Sequence, residues 1–206
     1  YYYGSSFIFG DETQLGSDTR KIEDVFGEND TYVLLVPKGD FAAEMKLSQA
    51  LHDLPEITSI ISYVDQAGAA IPTEYLDSDT LSLLISENYS RMVISAEVPL
   101  EGEHTFDFVE RVRSTASEYY PNEYHLAGEG VSTYDLMDTI TDDMLKVNLV
   151  AIAAVFIVLL LTMKSVSIPI ILVLSIETAI WINLSIPYFS GSIVFYIAYL
   201  IISSIQ

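Results

Sequence analysis

Two long apolar runs near the end of the sequence constrain this chain more than any other feature. The first, Val147 to Met163, contains no charged residue, and the second, Ser165 to Ile186, contains only Glu177. A helix rises about 1.5 Å per residue, so each run is long enough, or nearly so, to cross a hydrocarbon layer of about 30 Å. Buried helices of soluble proteins share this composition, but two adjacent runs joined by a turn at Lys164-Ser165 favour a membrane protein.

The same turn predicts the orientation of the chain in the membrane. Lys164 is the only cation after Lys146, and short loops that carry Lys or Arg stay on the cytoplasmic side. Residues 1–146 contain eight of the nine basic residues and 28 of the 29 acidic ones, without a basic cluster beside the membrane. We therefore expect residues 1–146 to be extracytoplasmic and Lys164 to be cytoplasmic.

The charge and the cysteine count exclude several classes of protein. A net charge of −20 repels the phosphates of nucleic acids, so we expect no nucleic-acid partner. The absence of cysteine rules out disulfides and thiolate metal sites, which suits a bacterial cell surface. The sequence begins without Met or a signal segment and ends inside a third apolar run, so we interpret it as a fragment.

The acidic part of the chain has the hydrophobic periodicity of an α+β domain. Apolar runs and alternation predict strands, three-and-four spacing predicts helices, and Pro or Gly ends most of them. The predicted order is strand 31–36, helix 41–54, strand 57–64, strand 91–98, helix 105–120 and strand 123–127. This βαββαβ order is that of a ferredoxin-like fold, an antiparallel sheet with both helices on one face.

The resulting layout has an extracytoplasmic domain followed by an all-α transmembrane region. A helix capped by Asp18 and ended by Gly27 belongs to the lead-in, and a second, starting at Ser132 with Asp135 at capping-box spacing, continues into the first apolar run. The predicted segments are a lead-in (1–30), the domain (31–130) with an insertion (65–90), a connecting helix (131–146), and transmembrane helices (147–163, 166–186 and 192–206, the last truncated).

No combination of residues predicts an enzyme, a metal site or a cofactor. Ser132 lies one place too far along for a nucleophile elbow and lacks the glycine that should follow it. Asp142 and Asp143, at the membrane boundary, are interpreted as a solvated pair, with a cation site as the alternative, and no glycine loop for phosphates is present. Three histidines are far apart in sequence, which favours ordinary packed or solvated side chains: His52, His104 and His125.

Glu177 is the residue for which a functional interpretation competes with a structural one. It lies roughly 18 Å along the helix from the cytoplasmic turn, near the middle of the membrane. A carboxylate there is costly unless it is neutral, paired or in a wet interior. We interpret Glu177 as mainly structural, neutral and hydrogen-bonded to an adjoining helix, with Asn183 as a further intramembrane polar contact.

Several stretches resemble a known family. They are Gly128-Glu129-Gly-Val-Ser-Thr-Tyr-Asp135, Asp143-Met-Leu-Lys-Val-Asn148, Ile176-Glu177-Thr-Ala-Ile-Trp-Ile-Asn183 and Tyr199-Leu-Ile-Ile-Ser-Ser-Ile-Gln206. Together with the acidic domain they resemble bacterial MMPL-type transporters of the RND superfamily. The resemblance implies a porter domain at about 31–130, helices two to four of a six-helix half, a multi-pass protein of the bacterial inner membrane, and a proton relay beyond Gln206.

The resemblance also implies a function. Members of that superfamily export lipids, drugs or other amphiphiles with the proton gradient, so the expected partners are membrane lipids, an amphiphilic substrate and the rest of the transporter polypeptide. The irregular insertion is the expected wall of the substrate route, with Ile71, Tyr75, Leu76 and Leu81 as candidates. It can equally contact a partner subunit of a homo-oligomer. The alternative function is a membrane-anchored extracytoplasmic binding or scaffolding protein.

Overall fold

The structure, a computed structural model, describes residues 2–4, 9–10, 12–66, 78–163, 165–191 and 194–198, with backbone alone for residues 78–80 and 145. It divides into two compact units. One comprises Gly4–Tyr134, and the other comprises Tyr1–Tyr3 together with Asp135–Gln206.

The first unit contains a four-stranded antiparallel sheet. The strands are β1 (Asp30–Pro37), β2 (Ile57–Ile61), β3 (Tyr89–Ala96) and β4 (His125–Ala127), and their order across the sheet is β2-β3-β1-β4. The central pair runs from Asp30 opposite Ala96 to Pro37 opposite Tyr89. An α+β architecture with an antiparallel sheet, as the periodicity predicts, is therefore confirmed.

Seven helices occur in the described part of the chain. They are α1 (Gln14–Phe26), α2 (Phe41–His52), α3 (Tyr63–Gln66), α4 (Ser78–Leu84), α5 (Glu103–Tyr119), α6 (Glu129–Met163) and α7 (Ser167–Ser190). Helices α2 and α5 contact each other and, with one face of the sheet, enclose the hydrophobic core.

The core follows the periodicity of the sequence. Alternate residues of β1 and β3 are fully buried, because successive side chains of a strand point to opposite faces. Leu51 of α2 and Val112 of α5, which helical spacing assigns to the core, are 0% and 1% exposed. The same core contains other large, fully buried side chains, namely Tyr32, Leu34, Leu47, Tyr63, Met92, Ile94 and Phe108.

The second strand ends earlier than predicted. We expected a strand from Ile57 to Val64, but β2 ends at Ile61 and Val64 lies in the short helix α3. The Ser62 hydroxyl donates to Asp65 Oδ2 at 2.5 Å, and the Asp65 backbone N–H donates to Ser62 Oγ at 3.2 Å. Such local side-chain bonds compete with strand pairing, so β-branched composition alone gave the wrong boundary.

The predicted cap of the first helix is also wrong. The helix begins at Gln14, and Thr13 is its N-cap, with Oγ1 accepting a hydrogen bond from the Gly16 N–H at 3.1 Å. Asp18 lies inside the helix instead of capping it. The end is as predicted, because Gly27 follows it with a φ of 79°, a backbone conformation that favours glycine.

The second unit contains α7 and most of α6. Both helices are long and apolar enough to cross a membrane, and only 0% and 6% of their most apolar windows are buried. A core helix of a soluble protein would be mostly buried. The predicted turn lies between Met163 and Ser167, but Lys164 itself is outside the described residues, as is most of the predicted segment 192–206.

Candidate functional site

The start of α6 is held by a carboxylate that lies 100 residues earlier in the sequence. Asp30, the first residue of β1, is 7% exposed. Its Oδ1 accepts a hydrogen bond from the Thr31 N–H at 2.7 Å, and its Oδ2 accepts one from the Gly130 N–H at 3.0 Å. The first N–H groups of a helix lack helical partners and carry partial positive charge, so a carboxylate is stabilised there.

This contact corrects the predicted start of the connecting helix. We expected the helix to begin at Ser132 with a capping box, but α6 begins at Glu129 and Ser132 lies within its first turn. The Ser132 hydroxyl donates back to the Gly128 carbonyl at 3.0 Å. Asp30 supplies the cap from a distant strand, and no local spacing rule could have identified it.

The two glycines of the Gly128-Glu129-Gly130 stretch are places of close packing. A Cβ added to Gly128 would lie 2.8 Å from Tyr32 Cδ1. A Cβ added to Gly130 would collide with the Tyr32 hydroxyl and lie 2.8 Å from Thr105 Cγ2. The glycines therefore allow the start of α6 to approach β1 and α5.

Tyr32 occupies the centre of this junction, which we define as Asp30, Tyr32, Thr105, Gly128 and Gly130. Burial of its hydroxyl raises the pKa of Tyr32 far above the ordinary value, and the neighbouring Asp30 carboxylate raises the pKa further. Tyr32 is therefore a neutral phenol, although no hydrogen bond of normal geometry engages its hydroxyl within the described residues. The junction contains no nucleophile paired with a base. Its residues instead hold the start of α6 against β1 and α5 by packing and hydrogen bonding.

A second contact ties the first turns of α6 to α5. The Tyr134 hydroxyl donates to Glu110 Oε1 at 2.6 Å, and the ring packs edge-on against Phe106 with centroids 5.7 Å apart. The Arg113 guanidinium lies 5.3 Å from the Tyr134 ring centroid, a cation–π distance. The sequence alone did not predict these contacts, since the partners of Tyr134 are more than 20 residues away.

A comparison with known protein families identifies the family of this chain. The MMPL family matches residues 10–201 of the 206. The chain belongs to the MMPL family. Its members are transporters and not enzymes, so this is a membrane protein of the MMPL/RND type, as the resemblance in the sequence implies. No curated protein matches the chain significantly.

The predicted substrate wall of this MMPL-family chain is described only in part. Ile71, Tyr75 and Leu76 lie outside the described residues. Leu81 lies on α4, where it is partly buried and packs against the core. The described end of the insertion is thus joined to the sheet unit, and Tyr89 and Ser90 are already part of β3. The substrate route stays a prediction.

The two intramembrane polar candidates both lie on α7 and are not brought together. Glu177 is half-buried and Asn183 is exposed. Six residues at about 100° each place them about 120° apart around the helix axis. No other charged residue occurs between Val147 and Met163 or after Lys164, so the apolar runs offer Glu177 no charged partner. The role of both residues stays a prediction.

Pro187 adds a polar feature that the sequence analysis did not use. It lies inside α7, which ends at Ser190. Gly191 follows as the C-cap residue and has a φ of 67°. Proline has no N–H, so the carbonyl of residue 183, four positions earlier, loses its helical donor. Asn183 therefore presents a backbone acceptor as well as its side-chain amide, and an adjoining helix can satisfy both.

The three histidines each have ordinary neighbours. His52 Nδ1 lies 2.9 Å from the Ser48 carbonyl, His104 Nε2 lies 3.9 Å from Glu56 Oε1, and the His125 ring packs edge-on against Tyr89 at 5.6 Å. They do not converge on one another.

Asp142, at the boundary of the first apolar run, accepts a hydrogen bond from Lys146 Nζ at 2.5 Å on the exposed helix surface.

Proposed function

We propose that this chain is part of a proton-motive-force-driven exporter of lipids, drugs or other hydrophobic or amphiphilic compounds. The observation that carries the proposal is the family match, which spans both the acidic α+β unit and the apolar helices. Membrane lipids, the rest of the transporter polypeptide and the amphiphilic substrate are the proposed partners. A homo-oligomer remains an open alternative for the assembly.

Within this proposal the first unit is a ferredoxin-like porter domain of the bacterial inner-membrane protein. The strand order β2-β3-β1-β4 supports this assignment. Strand β3 lies between β1 and β2, and β1 lies between β3 and β4, so each βαβ half is split by a strand of the other. Helices α2 and α5 are the two crossovers, and they pack on one face of the sheet to form a single core.

The proposed coupling element is α6. It begins at the junction, where Gly130 contacts Asp30, and continues without a break to Met163. No Gly or Pro occurs between Val131 and Met163, so the helix has no position that would absorb bending easily. A displacement of the apolar part, driven by proton transfer elsewhere in the transporter, is transmitted along this helix to the domain.

Transport into inside-out membrane vesicles that contain the full transporter tests this proposal. We expect a fluorescent fatty acid to accumulate inside when the interior is acid, and a protonophore to abolish the accumulation. Asp138→Pro, which breaks α6 at an exposed position before its apolar part, should abolish transport but leave membrane insertion intact. Asp138→Ala is the matched control and should transport normally. Binding of the probe without gradient-dependent accumulation would contradict export and support an anchored binding protein.

A further inference from the structure

The first unit buries a carboxyl group that no cation among the described residues compensates. Glu44, on the first turn of α2, is 0% exposed, and neither carboxyl oxygen has a hydrogen bond of normal geometry within the described residues. An ionised carboxylate in such surroundings costs far more than a neutral one, because burial removes the water that solvates the charge. Burial thus raises the pKa of Glu44 above its ordinary value.

The described groups that act on Glu44 include no cation. Ser90 of β3 lowers the pKa of Glu44 in part, and Asp40, the N-cap of α2, raises it further. Tyr120, which follows α5, is buried at the same end of the core, and burial together with Glu44 and Asp40 raises its pKa to about 12. The Tyr120 hydroxyl donates to the Asp40 carbonyl at 3.3 Å. Asp40 disfavours a negative charge on Glu44 and the Ser90 hydroxyl favours it in part, but neither group carries the positive charge that would neutralise it.

The other elements around α2 do not supply a cation either. Asp65 of α3 accepts hydrogen bonds from Ser48 and Ser62, and β2 has no titratable side chain. Arg91, next to Ser90 in β3, lies on the opposite face of the sheet because strand side chains alternate. On α5, Arg111 is paired with Glu56. Loss of the Glu44 proton would therefore leave a buried carboxylate between α2 and the sheet without a cation from these elements beside it.

We propose that Glu44 is a protonation latch for α2: the neutral acid lets the helix pack on the sheet, and ionisation releases its first turn. A carboxyl whose pKa is higher in the folded than in the unfolded chain stabilises packing fully below the unfolded value. That stabilisation is lost as pH rises through the folded value. A rise in pH on the side of the α+β unit, through the raised pKa of Glu44, therefore opens α2, whether or not the chain transports amphiphiles.

Hydrogen exchange of the full chain in lipid nanodiscs tests the latch. Exchange of amides 41–52 is followed from acid to alkaline pH, corrected for the intrinsic rate at each pH, with the α5 amides as internal reference. We expect protection of α2 to fall by about tenfold per pH unit where one proton is lost. Glu118→Gln, which changes an exposed acid, should keep this profile, whereas Glu44→Gln should make it flat.

A second variant keeps the test decisive if Gln is poorly tolerated in the core. Glu44→Leu removes the buried polar group at similar volume, so protection of α2 should be high and independent of pH. Infrared difference spectra provide the direct check, since just above the ordinary pKa range of glutamate the wild-type chain should show the band of one more protonated carboxyl group than Glu44→Leu. A flat wild-type profile, a Glu44→Gln profile like that of the wild type, or the absence of that band would overturn the proposal.

Discussion

The Asp30 carboxylate accepts a hydrogen bond from the backbone N–H of Gly130 at 3.0 Å, although the two residues are 100 positions apart in sequence. The bond joins the first residue of the central strand β1 to the first turn of α6, the helix that continues into the apolar region. Because the carboxylate is nearly buried, its position is fixed by the core rather than by solvent. The start of α6 is therefore held within the α+β unit by a hydrogen bond between residues far apart in sequence.

Gly130→Ala tests the packing of this junction. The new methyl group would collide with the Tyr32 hydroxyl and crowd Thr105, so we expect the free energy of unfolding of the α+β unit to fall by about 1–3 kcal/mol. Pulse proteolysis of the full chain across a urea series measures this quantity. Gly10→Ala is the control, because nothing lies within 4 Å of its added Cβ. Equal stability of the two variants would contradict the assigned contact.

The Glu56–Arg111 ion pair predicts a stability that depends on acid. Hydrogen bonds from Arg111 hold the pKa of Glu56 below its ordinary value, although burial acts against them. A lowered folded pKa stabilises the unit above the unfolded value, and the effect is lost as pH falls through the folded one. Arg111 is 41% exposed, so we expect Glu56→Gln to cost only about 1 kcal/mol at neutral pH and nothing in strong acid. Urea unfolding monitored by pulse proteolysis at neutral and acid pH would refute this if the cost stayed constant.

The sequence predicted the core because periodicity records which faces are buried. Met92 and Ile94 alternate as expected, and Leu51 and Val112 are buried as helical spacing requires. Contacts between distant segments leave no such periodic signal. The Asp30 cap of α6 is one example of such a distant contact. The boundary of β2 was missed for a different, local reason, because the hydrogen bonds between Ser62 and Asp65 outweighed strand propensity.

Glu44 is a different case, because the sequence did contain a signal for it. It lies three residues before Leu47 and seven before Leu51, on the helical face that the apolar residues define. An acid at such a position is either exposed at the edge of the face or buried at a cost. Spacing alone does not distinguish the two, whereas the packing of α2 against the sheet does.

The assignment of Glu177 as a structural residue predicts different results for two substitutions in the full transporter. Glu177→Gln keeps the shape and the hydrogen-bonding capacity but cannot carry a proton, so it should retain most proton-coupled export. Glu177→Leu loses the interhelical hydrogen bond and should lower the amount of folded protein in the membrane. Transport and expression are measured on the same vesicles. Normal expression of the Gln variant without proton coupling would make Glu177 part of the relay.

Export by this chain requires one arrangement, with the acidic α+β unit outside the membrane and the turn at Lys164-Ser165 inside. The chain has no cysteine, so single cysteines report cleanly on their own positions. Glu87→Cys places a thiol on the exposed surface of the α+β unit, and Ser165→Cys places one beside the turn. An impermeant maleimide on intact cells should label Glu87→Cys at once and Ser165→Cys only after the membrane is opened. Labelling of Ser165→Cys but not Glu87→Cys on intact cells would reverse the topology and contradict an extracytoplasmic domain.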